Sequence, residues 1–214
     1  MNSEILKNQT RVLSFTLGLI LFLLQHHSVI SQATGDKSIL SPGTERAFSL
    51  SIEVNAPVDS VWSRWTADTG RKKFIAPSSR LELTTLGYME ILFMPQAPEG
   101  QRGAENNRVL SFQDKQILSF TWDAPPKFPE IRKQRTVVML RFYRLADAKT
   151  LVTLRQTGWG IGTDWDACYD YFTSAWGTFV LPNLKHSLEV APIDWSDFPN
   201  RLPKGLKPAT QLSN

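Results

Sequence analysis

The chain has 214 residues, 42% hydrophobic, 21% charged and 11% aromatic, the balance of a globular protein rather than of a disordered or multi-pass membrane chain. Its formal charge is only +4, from 24 Lys and Arg against 20 Asp and Glu, with no long basic run, which argues against a dedicated nucleic-acid binder. The single cysteine, Cys168, and the three histidines, His26, His27 and His186, exclude an intramolecular disulfide framework, a multi-cysteine zinc or iron–sulfur site and a His-rich metal site.

At the N-terminus, Lys7 and Arg11 precede an apolar run over 12–24, VLSFTLGLILFLL, which is shorter than the ~20 residues that span a bilayer. With Ser31 and Ala33 at the small-residue positions, it predicts a signal peptide over 1–33, cut after Ala33, and export to the periplasm or beyond. The alternative is an uncleaved signal, its apolar stretch extended to Ile30, that leaves the chain tethered to a membrane. Residues 34–45 (TGDKSILSPGTE) are polar and turn-rich and read as a linker.

The segment 46–54 alternates, with Phe48, Leu50, Ile52 and Val54 on one face, and predicts the first strand. After Asn55-Ala-Pro57, the residues Val58, Val61, Trp62 and Trp65 recur at helical spacing and predict a short amphipathic helix. Leu81 and Leu83 alternate with Arg80 and Glu82, and Gly87 separates this second strand from a third over 88–94. The stretch 95–107 (PQAPEGQRGAENN) lacks an apolar face and reads as a surface loop. Strands over 108–112, 117–122, 136–145 and 151–158 bring the count to seven.

From Thr163 the period changes to that of a long helix running through Glu189, with Trp165, Tyr169, Phe172 and Trp176 on one side. Pro182 inside it removes the amide that would bond Thr178, which predicts a bend at a cost of roughly 3 kcal/mol unless packing offsets it. The segment 190–214, with Pro192, Pro199, Pro203 and Pro208, reads as a Pro-rich tail, extended or disordered.

Strand, helix, six strands and a long helix predict an α+β fold in which a seven-stranded twisted antiparallel sheet wraps around its C-terminal helix. The pattern from Phe48 to Trp65, the run from Arg108 to Trp122, and Gln156-Thr-Gly-Trp159-Gly-x-Gly162 followed by Trp165, Tyr169-x-Tyr171-Phe172, Trp176 and Leu181-x-Asn183-Leu184-Lys185 resemble the START-like, helix-grip proteins homologous to the C-terminal domain of the heat-shock protein 90 ATPase activator. The resemblance covers residues 46–189. It implies a cavity between sheet and long helix, where many helix-grip proteins hold lipids, sterols, polyketides or other apolar molecules.

The candidate ligand-binding residues are Phe93, Phe120, Leu154 and Gln156 from the sheet, Trp159 at the mouth, and Trp165, Tyr169, Phe172 and Trp176 from the helix. A stripe of aromatics on a core-facing helix is also what plain packing requires, and both readings stand at this stage. Gln156, an amide on a strand with Val152 and Leu154, is expected either to orient a ligand or to bond a neighbouring strand. Gly158, Gly160 and Gly162 lack the spacing and the βαβ setting of a dinucleotide site. Arg132, Lys133 and Arg135 offer either a basic rim for an anionic head group or a solvated face. No catalytic triad, metal site or cofactor is expected.

Three functions follow from this reading. The first is an exported domain that binds an apolar or amphipathic small molecule. The second is a polyketide cyclase or dehydrase-like enzyme, which needs an ionisable residue in the cavity. The third is a cochaperone-like protein-interaction module with an unknown partner.

Overall fold

Alternation of apolar and polar residues sets the sheet. In the computed structural model, which describes residues 45–197, 200 and 202–213, β1 (Phe48–Val54) buries every second side chain. The same alternation runs over 136–142 of β6 (Thr136–Ala146) and through β7 (Lys149–Thr157). The remaining strands are β2 (Ser78–Leu81), β3 (Tyr88–Leu92), β4 (Gly103–Gln113), β5 (Ile117–Trp122) and β8 (Thr210–Leu212). All neighbouring pairs are antiparallel, in the order β2-β3-β4-β5-β6-β7-β1-β8. The expected signal peptide and nearly all of the expected linker lie outside the described residues, and among those described no helix is long and apolar enough to cross a membrane.

Register aligns the buried residues into rows that cross the sheet. Phe48 stands opposite Gln156, Gln156 opposite Val138, Val138 opposite Phe120, and Phe120 opposite Val109. In the next row Leu50, Leu154, Leu140 and Leu118 follow one another. These rows form the floor of the core, and a one-residue slip would turn every one of them to solvent.

Helices cover that floor. Helix α1 (Val58–Thr66) packs Val58, Val61, Trp62 and Trp65 inward, with Trp62 edge-on to Phe142 at 5.4 Å and Trp65 edge-on to Phe74 at 4.9 Å. Short turns α2 (Asp68–Arg71) and α3 (Pro129–Arg132) follow α1 and β5 respectively. The long helical path consists of α4 (Thr163–Ser174), a π-helical turn over Ala175–Val180, and α5 (Leu181–Glu189).

Three sequence expectations are corrected. First, the sheet has eight strands rather than seven. The eighth comes from the Pro-rich tail, where Ser49 pairs with Leu212 and Ser51 with Thr210 along the outer edge of β1. Second, β4 starts at Gly103, inside the stretch read as a loop, because its inward residues there include Glu105 and Asn107, which hydropathy alone assigns to solvent. Third, Pro182 does not interrupt a regular α-helix. The preceding turn is already π-helical, with the Leu181 N–H bonded to Trp176 O, five residues back. The next carbonyl in that pattern, Gly177 O, cannot be met by a proline and instead accepts the tail's Ala209 N–H at 2.8 Å. The tail is held along its way as well: the Ile193 N–H bonds Lys73 O at 2.9 Å and Trp195 Nε1 bonds Lys72 O at 2.6 Å.

Candidate functional site

The π-turn decides which helical residues face the sheet. An α-helix has 3.6 residues per turn, so a spacing of four overshoots, while a wider π-turn undershoots. The combination keeps Tyr171 and Phe172, Ala175 and Trp176, and Phe179 and Val180 on one side of the path. These six residues form one wall of a cavity of about 470 Å³. The opposite wall is Phe93, Gly103, Ala104 and Trp122 from the sheet, with Ala124, Pro125 and Pro126 from the loop after β5 and Leu202 from the tail. Trp122 and Trp176 meet at 5.0 Å between ring centroids. The volume lies within the range of small-molecule sites, and the lining is as apolar as such sites commonly are.

Of the sequence candidates, Phe93, Phe172 and Trp176 line this cavity. Phe120 and Leu154 are fully buried in the floor rows. Gln156, also 0% exposed, is committed to packing: its Nε2 donates to Thr136 Oγ1 at 2.8 Å, and its Oε1 accepts from Trp176 Nε1 at 2.8 Å. Trp159, Trp165 and Tyr169 form a neighbouring cluster, Trp159 and Tyr169 against Phe48 and Trp165 against Trp159, and Trp159 also meets the lining residue Phe172 at 6.0 Å. Trp159 lies 5.8 Å from Phe48, 6.3 Å from Trp165 and 5.2 Å from Tyr169. The Tyr169 hydroxyl donates to Ala47 O at 3.0 Å, with the Arg46 guanidinium 4.4 Å over its ring.

The sequence reading missed Trp122, Tyr171, Ala175, Phe179 and, above all, Asp123. Asp123 follows the last residue of β5 and is only 3% exposed. Its Oδ1 accepts from Asn107 Nδ2 at 3.0 Å, and its Oδ2 accepts from the Glu105 N–H at 3.3 Å and pairs with Arg132 at 2.8 Å. Glu105, 2% exposed, accepts from Arg102 Nε at 2.6 Å, from Arg132 at 3.0 Å, and from the Gly100 and Arg102 N–H groups. Burial pushes the Asp123 carboxyl above the ordinary carboxylate range, against the pull of Asn107 and Arg132. Burial acts on Glu105 the same way, but the hydrogen bonds from Arg102 and the backbone N–H groups prevail and hold it below that range. The signal in the sequence was two acids and an Asn, Glu105 and Asn107 in β4 and Asp123 just after β5, each requiring a partner if buried.

A second, polar opening of about 510 Å³ includes Glu99, Asn106 and Lys133 and shares Gln101, Asp123 and Pro126 with the apolar cavity. Asp123 therefore stands where an apolar space meets a polar one. Arg132, Lys133 and Arg135, read as either a basic rim or a solvated face, make their bonds within the protein, and Lys133 and Arg135 are exposed. Arg132 also bonds Gly103 O at 2.9 Å and Ala124 O, Lys133 pairs with Glu130 at 2.7 Å, and Arg135 bonds Gln134 O at 2.9 Å as well as Arg132 O. Cys168 is buried, and desolvation pushes its thiol up to about 11, which leaves it unreactive. Among the described residues no cluster of His, Cys, Asp and Glu is placed to hold a metal ion.

No curated protein matches the chain by sequence. Among solved structures it is similar to an HSP90 activator from Plasmodium falciparum, with a TM-score of 0.52 and 14% identity over 67% of this chain and 94% of that one. It is also similar to the Aha1 dimer from Colwellia psychrerythraea, with a TM-score of 0.50 and 16% identity over 68% and 97%. A third likeness is to CalU16 from Micromonospora echinospora, with a TM-score of 0.50 and 19% identity over 72% and 80%. At these identities the likenesses speak to the fold alone, a START-like sheet around a C-terminal helix. The family model described as Activator of Hsp90 ATPase homolog 1-like protein matches residues 55–189, and the chain belongs to that family.

Proposed function

We propose that this protein binds an apolar or amphipathic small molecule between the sheet and the C-terminal helix. The observation that carries the reading is the cavity of about 470 Å³ walled by Trp122, Phe172, Trp176 and Phe179. Its adjacency to a polar opening at Asp123 and Gln101 suits a molecule with an apolar body and a polar end. Aromatic walls supply a large contact area and lose little side-chain entropy on binding. The N-terminal signal, on the same proposal, exports the chain, and a fusion of residues 1–33 to a reporter that stays uncleaved in the cytosol would contradict that part.

The test is native mass spectrometry of the gently purified protein, with extraction of whatever co-purifies. The expected result is a discrete apolar mass that is lost in A175F, where the added ring occupies the cavity. An empty protein that gains no thermal stability from lipids, sterols or aromatic polyketides overturns the reading.

Asp123 favours one further reading, an enzyme of the cyclase or dehydrase type. A buried carboxyl with a raised pKa beside an apolar cavity is the ionisable group such chemistry needs. It predicts a polyketide that leaves the protein altered, and unaltered in D123N. Recovery of every tested polyketide unchanged from the wild type would leave the carrier reading alone.

A further inference from the structure

The polar end of the ligand is constrained by how the cavity's one carboxylate is used. A carboxylate offers about four acceptor positions. Asn107 Nδ2 takes one on Asp123 Oδ1, while the Glu105 N–H and Arg132 take two on Oδ2. One acceptor position on Oδ1 therefore remains. Among the described residues that line the apolar cavity Asp123 is the only carboxylate, and the other charge there, Arg102, is bonded through Nε to Glu105 at 2.6 Å.

The cations nearest Asp123 are already engaged: Arg102 and Arg132 pair with Glu105 and Asp123, and Arg135, whose charge also reaches Asp123, bonds the Arg132 and Gln134 carbonyls. An incoming anion would meet a carboxylate in a largely apolar space, where repulsion is weakly screened. A donor group would meet an acceptor already held in place by three bonds.

Resting on the binding reading above, we propose that the cavity selects molecules whose polar end donates a hydrogen bond, an alcohol or a primary amine on an apolar body, and rejects carboxylate ends, with Asp123 as the anchor. Fatty acids and other anionic amphiphiles are therefore poor occupants even where their chains fit. The preference is assigned to Asp123, because the aromatic and aliphatic walls are indifferent to the head group and Arg102 is bonded to Glu105.

The experiment is titration calorimetry of the full chain with decanol, decylamine and decanoic acid at about pH 8, where the acid is ionised and the amine protonated. Decanol and decylamine are expected to bind about tenfold tighter than decanoate, the scale of one hydrogen bond to a charged group. D123N, which removes the charge at nearly constant shape, is expected to bring decanoate close to decanol. Decanoate binding as tightly as decanol to the wild type, or a preference unchanged in D123N, overturns the anchor while leaving the cavity reading intact. Failure of all three probes to bind overturns both. Should D123N not fold, the wild-type series decides alone.

Discussion

Gln156 ties the sheet to the helix through a single pair of bonds. Its amide links Thr136 on β6 to the Trp176 indole on the π-turn, in full burial. Replacing it with Leu leaves Trp176 Nε1 without its acceptor, and an orphaned buried donor costs about 1–3 kcal/mol. Urea unfolding of Q156L is expected to show that loss. W176F removes the donor itself, so Q156L/W176F is expected to lose less than the sum of the two single changes. Hydropathy singled out Gln156 because an amide among Val152 and Leu154 stands out. It did not single out Asp123, since an acid in a Pro-rich stretch looks solvated until its partners are brought together by the fold.

Asp123 and Glu105 also give opposite pH signatures. The folded-state pKa of Asp123 is raised, so between the ordinary carboxylate value, about 4, and its own higher value the native state binds more protons than the unfolded chain. Its contribution to stability therefore falls as pH rises through that window. Glu105 is depressed, so its contribution is complete above the ordinary value and is lost as pH falls through its own lower one. Urea denaturation at a series of pH values is expected to show the wild type losing stability relative to D123N as pH rises above about 4. A difference that does not vary with pH would contradict the placement of Asp123.

At the level of elements, the π-turn and the tail work as one unit. Pro182 has no N–H to offer Gly177 O, and the tail's Ala209 supplies it before β8 joins β1. All three β8 side chains are exposed, so backbone bonding rather than apolar burial holds the strand. Truncation after Leu206 is expected to cost about 1–2 kcal/mol, a few net hydrogen bonds. It also bares the edge of β1, which invites association of one molecule with another. Chemical denaturation measures the first effect and size-exclusion chromatography at rising concentration the second. Strand periodicity was visible in β1, β6 and β7, where most inward residues are apolar. It was invisible in the first half of β4, where Glu105 and Asn107 face in, and in β8, whose bonds are to a strand over 150 residues earlier in the chain.

Over the whole molecule, the fold was legible because an alternating sheet and one long aromatic helix admit few arrangements, and the family model and the solved relatives agree with the START-like grip. The lining was less legible because a stripe of aromatics along a helix does not reveal where the helix widens. Tyr169 closes over Phe48 and Trp165 over Trp159, while Tyr171 and Phe172 before the π-turn and Ala175, Trp176, Phe179 and Val180 within it face the open space. The central claim is that a ligand occupies the cavity walled by Trp122 and Trp176 rather than the Trp159 cluster. The chain has 7 tryptophans, each with an indole N–H resonance that reports its own surroundings. Nuclear magnetic resonance of those signals during a decanol titration tests the claim most directly. The account predicts saturable shifts at Trp122 and Trp176, with Trp159 and Trp165 nearly still. Shifts confined to Trp159 and Trp165, or none at any indole, would contradict it.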